Sequence, residues 1–197
     1  VVDALVASGT DGASPLPRQA CPSLATAIAG VLNAAAAIES HLAQFATVAG
    51  DGNGSEASRV LALYVLGQIG VRHSTASAKD ELARAAMSVF DAESERIKAA
   101  GAYALGKLAV SAPDAYLPRM FEVMDGASGQ TQFLVLTAFK EFVDTALKIP
   151  SSNALAGVKT SLWPVLVASA ASDEVGTRNV ASECLGLLVA SNMADMA

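Results

Sequence analysis

The stretch DEVGTRNVASECLGLLVA, Asp173 to Ala190, decides the reading of this chain. It holds a turn, a cationic residue, an apolar helical pattern with small residues on one side, and a glycine eight positions after the cation, Arg178 to Gly186. The same spacing recurs upstream: Arg59 precedes Gly67 in SRVLALYVLGQIG, and Lys98 precedes Gly106 in IKAAGAYALGKLA. A decayed copy, QFLVLTAFKEFVD, has Gln132 in the cationic place and Lys140 in the glycine place. The anchors Arg59, Lys98, Gln132 and Arg178 lie 39, 34 and 46 residues apart. Self-similarity at about 40 residues is the signature of a helical repeat array.

The other half of the unit keeps phase as well. Pro118 in YLPRMFEVM and Pro164 in LWPVLVASA each lie fourteen residues before their anchor, Gln132 and Arg178. A proline inside a helical pattern costs a hydrogen bond and bends the helix. A bent first helix followed by a second helix opened by a basic residue resembles a HEAT repeat.

Read in order, the pattern predicts helices over 1–8, 20–33, 34–49, 56–70, a segment capped by Ser77 with Leu82, Ala86, Val89 and Phe90 inward, 95–110, 113–125, 129–147, 154–171 and 173–191. Pro113 suits a first helical position, and Ser172 suits a cap. SGTDGASPLPRQ, Ser8 to Gln19, is a breaker-rich link. The expected fold is all-α: an α-α superhelix of HEAT/ARM type, about ten helices in five antiparallel pairs. The whole of 1–197 is expected to form one array, with second helices near 20–33, 56–70, 95–110, 129–147 and 173–191. The chain opens on Val1, so an excerpt of a longer solenoid is expected, with exposed apolar surface at one or both ends.

Composition narrows the function. Hydrophobic residues make up 52% of the chain but aromatics only 5%, so small Ala-rich helices must share the burial among many. A formal charge of −6 disfavours nucleic acid, whose phosphates require clustered Lys and Arg. No apolar run approaches the roughly 20 residues of a membrane span. Cys21 and Cys184 form no metal or redox spacing, which fits a reducing compartment; cytoplasm and nucleus are expected. His41 and His73 stand alone, without the repeated His-Glu pairs of iron-binding HEAT enzymes, and no serine has nucleophile-elbow glycines. The expectation is no enzyme, no metal and no cofactor. Cys184 is expected in the core, and Trp163 packed at the Pro164 bend.

Two sets of positions stand out. The first is a structural ladder: Arg59, Lys98 and Arg178, with Glu93 and Asp173 five residues before their cations as partners. The second is a stripe facing the concave side, Tyr64, Gln68, Tyr103, Lys107, Thr137, Glu141, Glu183 and Leu187. It lies beside core positions Leu63, Leu66, Ala102, Leu105, Ala138, Phe139, Ala181, Cys184 and Leu188. Tyrosine is favoured as an interface anchor, so the stripe is the candidate partner surface; the plainer alternative is that both tyrosines tuck between helices.

DEVGTRNVASECLGLL closely resembles a segment of the CAND family, the cullin-associated and neddylation-dissociated proteins. VDALVASGT, RVLALYVLGQIG, KAAGAYALGKLAV, AYLPRMFEVM and LVLTAFKEFVDTA agree with that family in order. The Ser8–Gln19 link is shorter than the family's. The resemblance implies a later part of a long HEAT solenoid. It also implies a non-enzymatic role: wrapping unmodified cullin–RING ligases (cullin plus RING subunit), competing with the ubiquitin-like modifier and with the substrate adaptor, and so exchanging substrate receptors. The family's adaptor-competing hairpin would lie beyond residue 197. A generic HEAT scaffold or transport receptor with another protein partner is the alternative.

Overall fold

The computed structural model describes residues 20–32, 35–149, 153–155 and 157–194, so the expected helix over 1–8 and the Ser8–Gln19 link lie outside the described residues. Within them are nine α-helices and no strand: α1 Ala20–Val31, α2 Ala35–Gly50, α3 Glu56–Arg72, α4 Lys79–Met87, α5 Glu95–Leu108, α6 Pro113–Gly126, α7 Gly129–Leu147, α8 Val158–Ala170 and α9 Val175–Ala194. They form two layers. Helices α1, α3, α5, α7 and α9 stack in that order, each against the next. Helices α2, α4, α6 and α8 each pack on the helix that follows them in the chain. This is a solenoid of stacked helix pairs of HEAT type.

Local chemistry sets the element ends. Ser55 Oγ accepts from the Ser58 amide and Ser94 Oγ from the Ile97 amide, capping α3 and α5. Pro113 opens α6, where its missing N–H is not needed. Pro118 and Pro164 sit inside α6 and α8. Three expected boundaries change. Ser77 caps nothing: it lies in a 3₁₀ turn, Ala76–Ala78, and α4 starts behind Ala78 without a side-chain cap. Helix α4 also stops at Met87, so Val89 and Phe90 are buried in the turn beyond it. Helix α8 starts at Val158 instead of 154, because Gly157 takes a left-handed backbone, φ 81°, that interrupts the helix.

The inner stack is held close by glycines. A Cβ on Gly67 would lie 3.3 Å from the Ala104 Cα, and one on Gly70 2.7 Å from the Leu108 Cα. One on Gly106 would lie 2.3 Å from the Ala138 carbonyl oxygen. These positions let α3, α5 and α7 approach backbone to backbone, as the small-residue stripe requires. In the decayed copy the glycine is Lys140, and there the link to α9 is a side-chain ion pair, Lys140 Nζ to Glu183 Oε2 at 2.9 Å. Gly186 on α9 meets nothing within 4 Å, and Val175 and Val189 of that helix are exposed.

All nine positions expected in the core of the second helices are buried, Cys184 among them. Trp163 does not pack at the bend as expected: it is 43% exposed. It follows Leu162, which is fully buried and takes the inward direction on this turn of α8.

Candidate functional site

The five ladder residues divide in an unexpected way. The sequence pairs Lys98 with Glu93 and Arg178 with Asp173, and offers Arg59 only Asn53, but the two arginines meet backbone. Arg59 Nε donates to the Ala49 carbonyl at 3.1 Å, one of the orphan acceptors at the end of α2. Arg178 Nη1 donates to the carbonyls of Ser172, at 2.8 Å, and Asp173, at 2.7 Å. Asp173 is therefore a partner through its backbone, not its carboxylate. One guanidinium nitrogen with its two N–H groups thus serves a pair of adjacent carbonyls, acceptors that every residue carries. Lys98 also departs from expectation: it binds Glu95 rather than Glu93. Its Nζ donates to Glu95 Oε1 and to Gln130 Oε1, both at 2.9 Å, and Gln130 Nε2 closes the triangle on Glu95 at 3.0 Å. Glu95 lies one helical turn from Lys98 on its own helix, the i,i+3 distance at which side chains meet. Glu93 enters no ion pair among the described residues. Hydrogen bonds from Lys98 and then Gln130 hold the Glu95 carboxyl below the usual carboxylate range. The triangle spans α5 and α7, so Gln130, not Gln132, carries the polar role in the decayed copy.

The stripe falls into two groups. The first joins α3, α5 and α7. Gln68 Nε2 donates to the Tyr103 hydroxyl at 2.6 Å, and Arg72 Nη1 holds Gln68 through its carbonyl and its Oε1 at 2.9 and 2.8 Å. The rings of Tyr64 and Tyr103 lie 4.3 Å apart, tilted by 43°. Lys107 Nζ stands 4.9 Å from the Tyr103 ring centroid and donates to Thr145 Oγ1 at 3.0 Å. Such a cation over an aromatic face contributes about 0.5–1 kcal/mol at an exposed site and more when desolvated. Burial pushes the Tyr103 hydroxyl up to about 12, depresses the Lys107 ammonium, and raises the Glu141 carboxyl against the opposing pull of Lys107. The second group is Glu183 with Lys140.

The remaining two stripe positions are separate. Thr137 bonds the carbonyl of its own Phe133 at 2.8 Å, and Leu187 packs against the core. Periodicity aligned the eight positions but could not show that the tyrosines face each other. Arg72 and Thr145 carry no mark in the sequence pattern, and Lys140 marks only the glycine place of the decayed copy, because each enters through a neighbouring helix or the end of its own.

His41 Nδ1 bonds the Ala37 carbonyl at 2.6 Å, and the His73 carbonyl accepts from Ser111 Oγ at 2.9 Å. Among the described residues no group of three or more His, Cys, Asp or Glu side chains could hold a metal, and no helix is long and apolar enough to cross a membrane. The surface thus offers a half-buried aromatic and amide cluster with mixed charge around it, suited to contact with another macromolecule.

No family model matches the chain. Curated proteins do. The chain is 34% identical to Cullin-associated NEDD8-dissociated protein 1 of Drosophila melanogaster over 134 residues, 68% of this chain and 11% of the fly protein. It is 33% identical to the Dictyostelium discoideum protein of that name over 66% of this chain and 10% of the relative. Identity to Cullin-associated NEDD8-dissociated protein 2 of Mus musculus is 30% over 186 residues, 92% of this chain and 14% of that protein. The chain thus spans between 10% and 14% of the length of these relatives. The order of matching segments, the helix-pair solenoid and these likenesses agree, and the chain belongs to the CAND family, the cullin-associated NEDD8-dissociated proteins.

Proposed function

We propose that this chain is a non-enzymatic protein-binding segment of a cullin-associated factor that engages cullin–RING ligases lacking the ubiquitin-like modifier and promotes exchange of their substrate receptors. One continuous array over 1–197, acting in cytoplasm and nucleus, belongs to the same reading. The observation that carries it is the likeness over 66–92% of the chain to proteins named for cullin association. What supports it in the structure is an extended stack of helix pairs with a half-buried aromatic cluster on the inner stack, which suit contact spread over a large area. Specific interfaces of that kind can exceed about 2,000 Å². Within it, Tyr64, Gln68, Tyr103, Lys107, Thr137, Glu141, Glu183 and Leu187 are the contact stripe.

The test compares binding of the intact protein to unmodified and to NEDD8-modified cullin–RING complex by surface-immobilised kinetics. The reading demands a clear preference for the unmodified form. Equal affinity for both, or for neither, would return the chain to the generic scaffold alternative. Substituting Tyr64 and Tyr103 together by Ala assigns the stripe: unchanged cullin affinity in a folded double variant removes it from the interface.

A further inference from the structure

The inner helices close on one another through Gly67, Gly70 and Gly106, and the outer helices are left with open grooves between them. The groove between α4 and α6 has a volume of about 390 Å³. Its apolar lining is Ala83, Met87, Ala115 and Val123, with Ser88 beside them. Its walls carry Lys79, Arg84 and Arg119 against one acid, Asp80. In a chain with 13 cationic and 19 acidic side chains, that excess of positive charge runs against the whole.

These cations are not spent within the fold. No hydrogen bond or ion pair engages the side chains of Lys79 or Arg84 among the described residues. Arg119 meets Glu122 only at 3.5 Å, with both side chains more than 60% exposed, an arrangement that holds little energy. Arg84 also lines a second groove, of about 230 Å³ between α2 and α4, beside Ala46, Gly50 and Ala85. The cations elsewhere behave differently: Arg59 and Arg178 are bound to carbonyls, Lys98 to Glu95, Arg96 to Glu56 and Lys140 to Glu183.

We propose that the α4–α6 groove on the outer layer is a second docking surface, and that its occupant is an acidic amphipathic segment of a partner protein. Apolar side chains of that segment fill the space above Ala83, Ala115 and Val123, and its carboxylates meet Arg84, Arg119 and Lys79. Arginine is suited to this work because its fork binds a carboxylate in two places. Complementary charge raises the encounter rate and selects the partner. The surface lies on the layer opposite the aromatic stripe, so it does not depend on the cullin reading.

The test uses three short labelled peptides and fluorescence anisotropy on the 197-residue chain. One is a Glu–Leu amphipathic helix, one has Lys for each Glu, and one has Ser for each Leu. The Glu–Leu peptide is expected to bind, the other two to bind at least about tenfold more weakly, and added salt to weaken binding. Substituting Arg84→Glu with Arg119→Glu should lower affinity at least about tenfold, while Lys148→Glu, at the end of α7 and outside the residues that line the groove, should leave it unchanged. Circular dichroism establishes that both variants are folded; these positions are exposed, and a companion pair, Arg84→Gln with Arg119→Gln, serves if charge reversal unfolds the chain. The proposal is overturned if the Glu–Leu peptide does not bind, if the Lys or Ser peptide binds equally well, or if Lys148→Glu abolishes binding equally. Sedimentation of the parent and the double variant covers the remaining occupant: loss of a dimer in the variant would make the groove a contact between copies of this chain and overturn the reading.

Discussion

Replacing Gly106 by alanine tests the backbone approach on which the inner stack depends. A methyl at that position would sit 2.3 Å from the Ala138 carbonyl oxygen, 2.8 Å from Glu141 Cβ and 3.0 Å from the Phe142 amide nitrogen. Two of those three atoms are backbone and cannot rotate away, so α7 must shift from α5 by about 1 Å, which loosens packing around the buried Leu105, Phe139 and Phe142. Overpacking of this kind costs about 1–3 kcal/mol. Alanine gains about 1 kcal/mol over glycine in a helix interior. With a contact as short as this the upper end of the cost applies, and the net loss is about 2 kcal/mol. In a chain of this length that lowers the melting temperature by about 4–8 °C. Gly186 is the matched control, since it occupies the equivalent place and meets nothing within 4 Å. Gly186→Ala should therefore stabilise, by about 0.4–1 kcal/mol. Urea unfolding followed by circular dichroism reads both. If Gly106→Ala unfolds at or above the parent midpoint, or if the two variants shift the same way, the close-approach account is wrong.

Three further outcomes follow from the polar groups. Tyr116 and Thr75 are both fully buried and share hydroxyl and carbonyl bonds at 2.7 and 3.2 Å. Tyr116→Phe should destabilise by about 1–3 kcal/mol in urea melts, and adding Thr75→Val should cost less than the two separate losses summed, because no orphaned hydroxyl remains. Burial pushes the hydroxyls of Tyr103 and Tyr116 up to about 12. Their folded values exceed the unfolded one of about 10, so the stability they contribute is whole below pH 10 and is lost between about 10 and 12. Phenolate absorbance should show both ionising late, and Tyr103→Phe should remove one late step. Lys98→Met should bring the Glu95 carboxyl back up toward the ordinary range, because Lys98 is the main cause of its depression. The depressed value means that Glu95 supports the fold above its unfolded value and loses that support as pH falls. A carboxyl titration by NMR checks the shift, and an unmoved Glu95 would remove Lys98 as its cause.

Much of this architecture is written along the chain. The periodic placement of Leu63, Leu66, Ala102, Leu105, Ala138, Phe139, Ala181, Cys184 and Leu188 set the inward face of each second helix, and every one is buried. The cation-to-glycine spacing set the phase of the pairs, because a helix repeats its faces locally every 3.6 residues. What the tertiary structure alone decided is which groups meet across helices. Arg59 and Arg178 go to backbone carbonyls, which no residue letter marks, so the Asp173 carboxylate five positions before Arg178 looked like the partner where its backbone carbonyl is. Gln68 and Tyr103 lie 35 residues apart, and their bond depends on the stagger between α3 and α5. Arg84 and Arg119 share one groove because α4 and α6 lie side by side in the outer layer. Periodicity fixes the direction a side chain takes from its own axis. The distance and rotation between two axes come from how the small residues of both helices fit together, and that is a property of the packed pair.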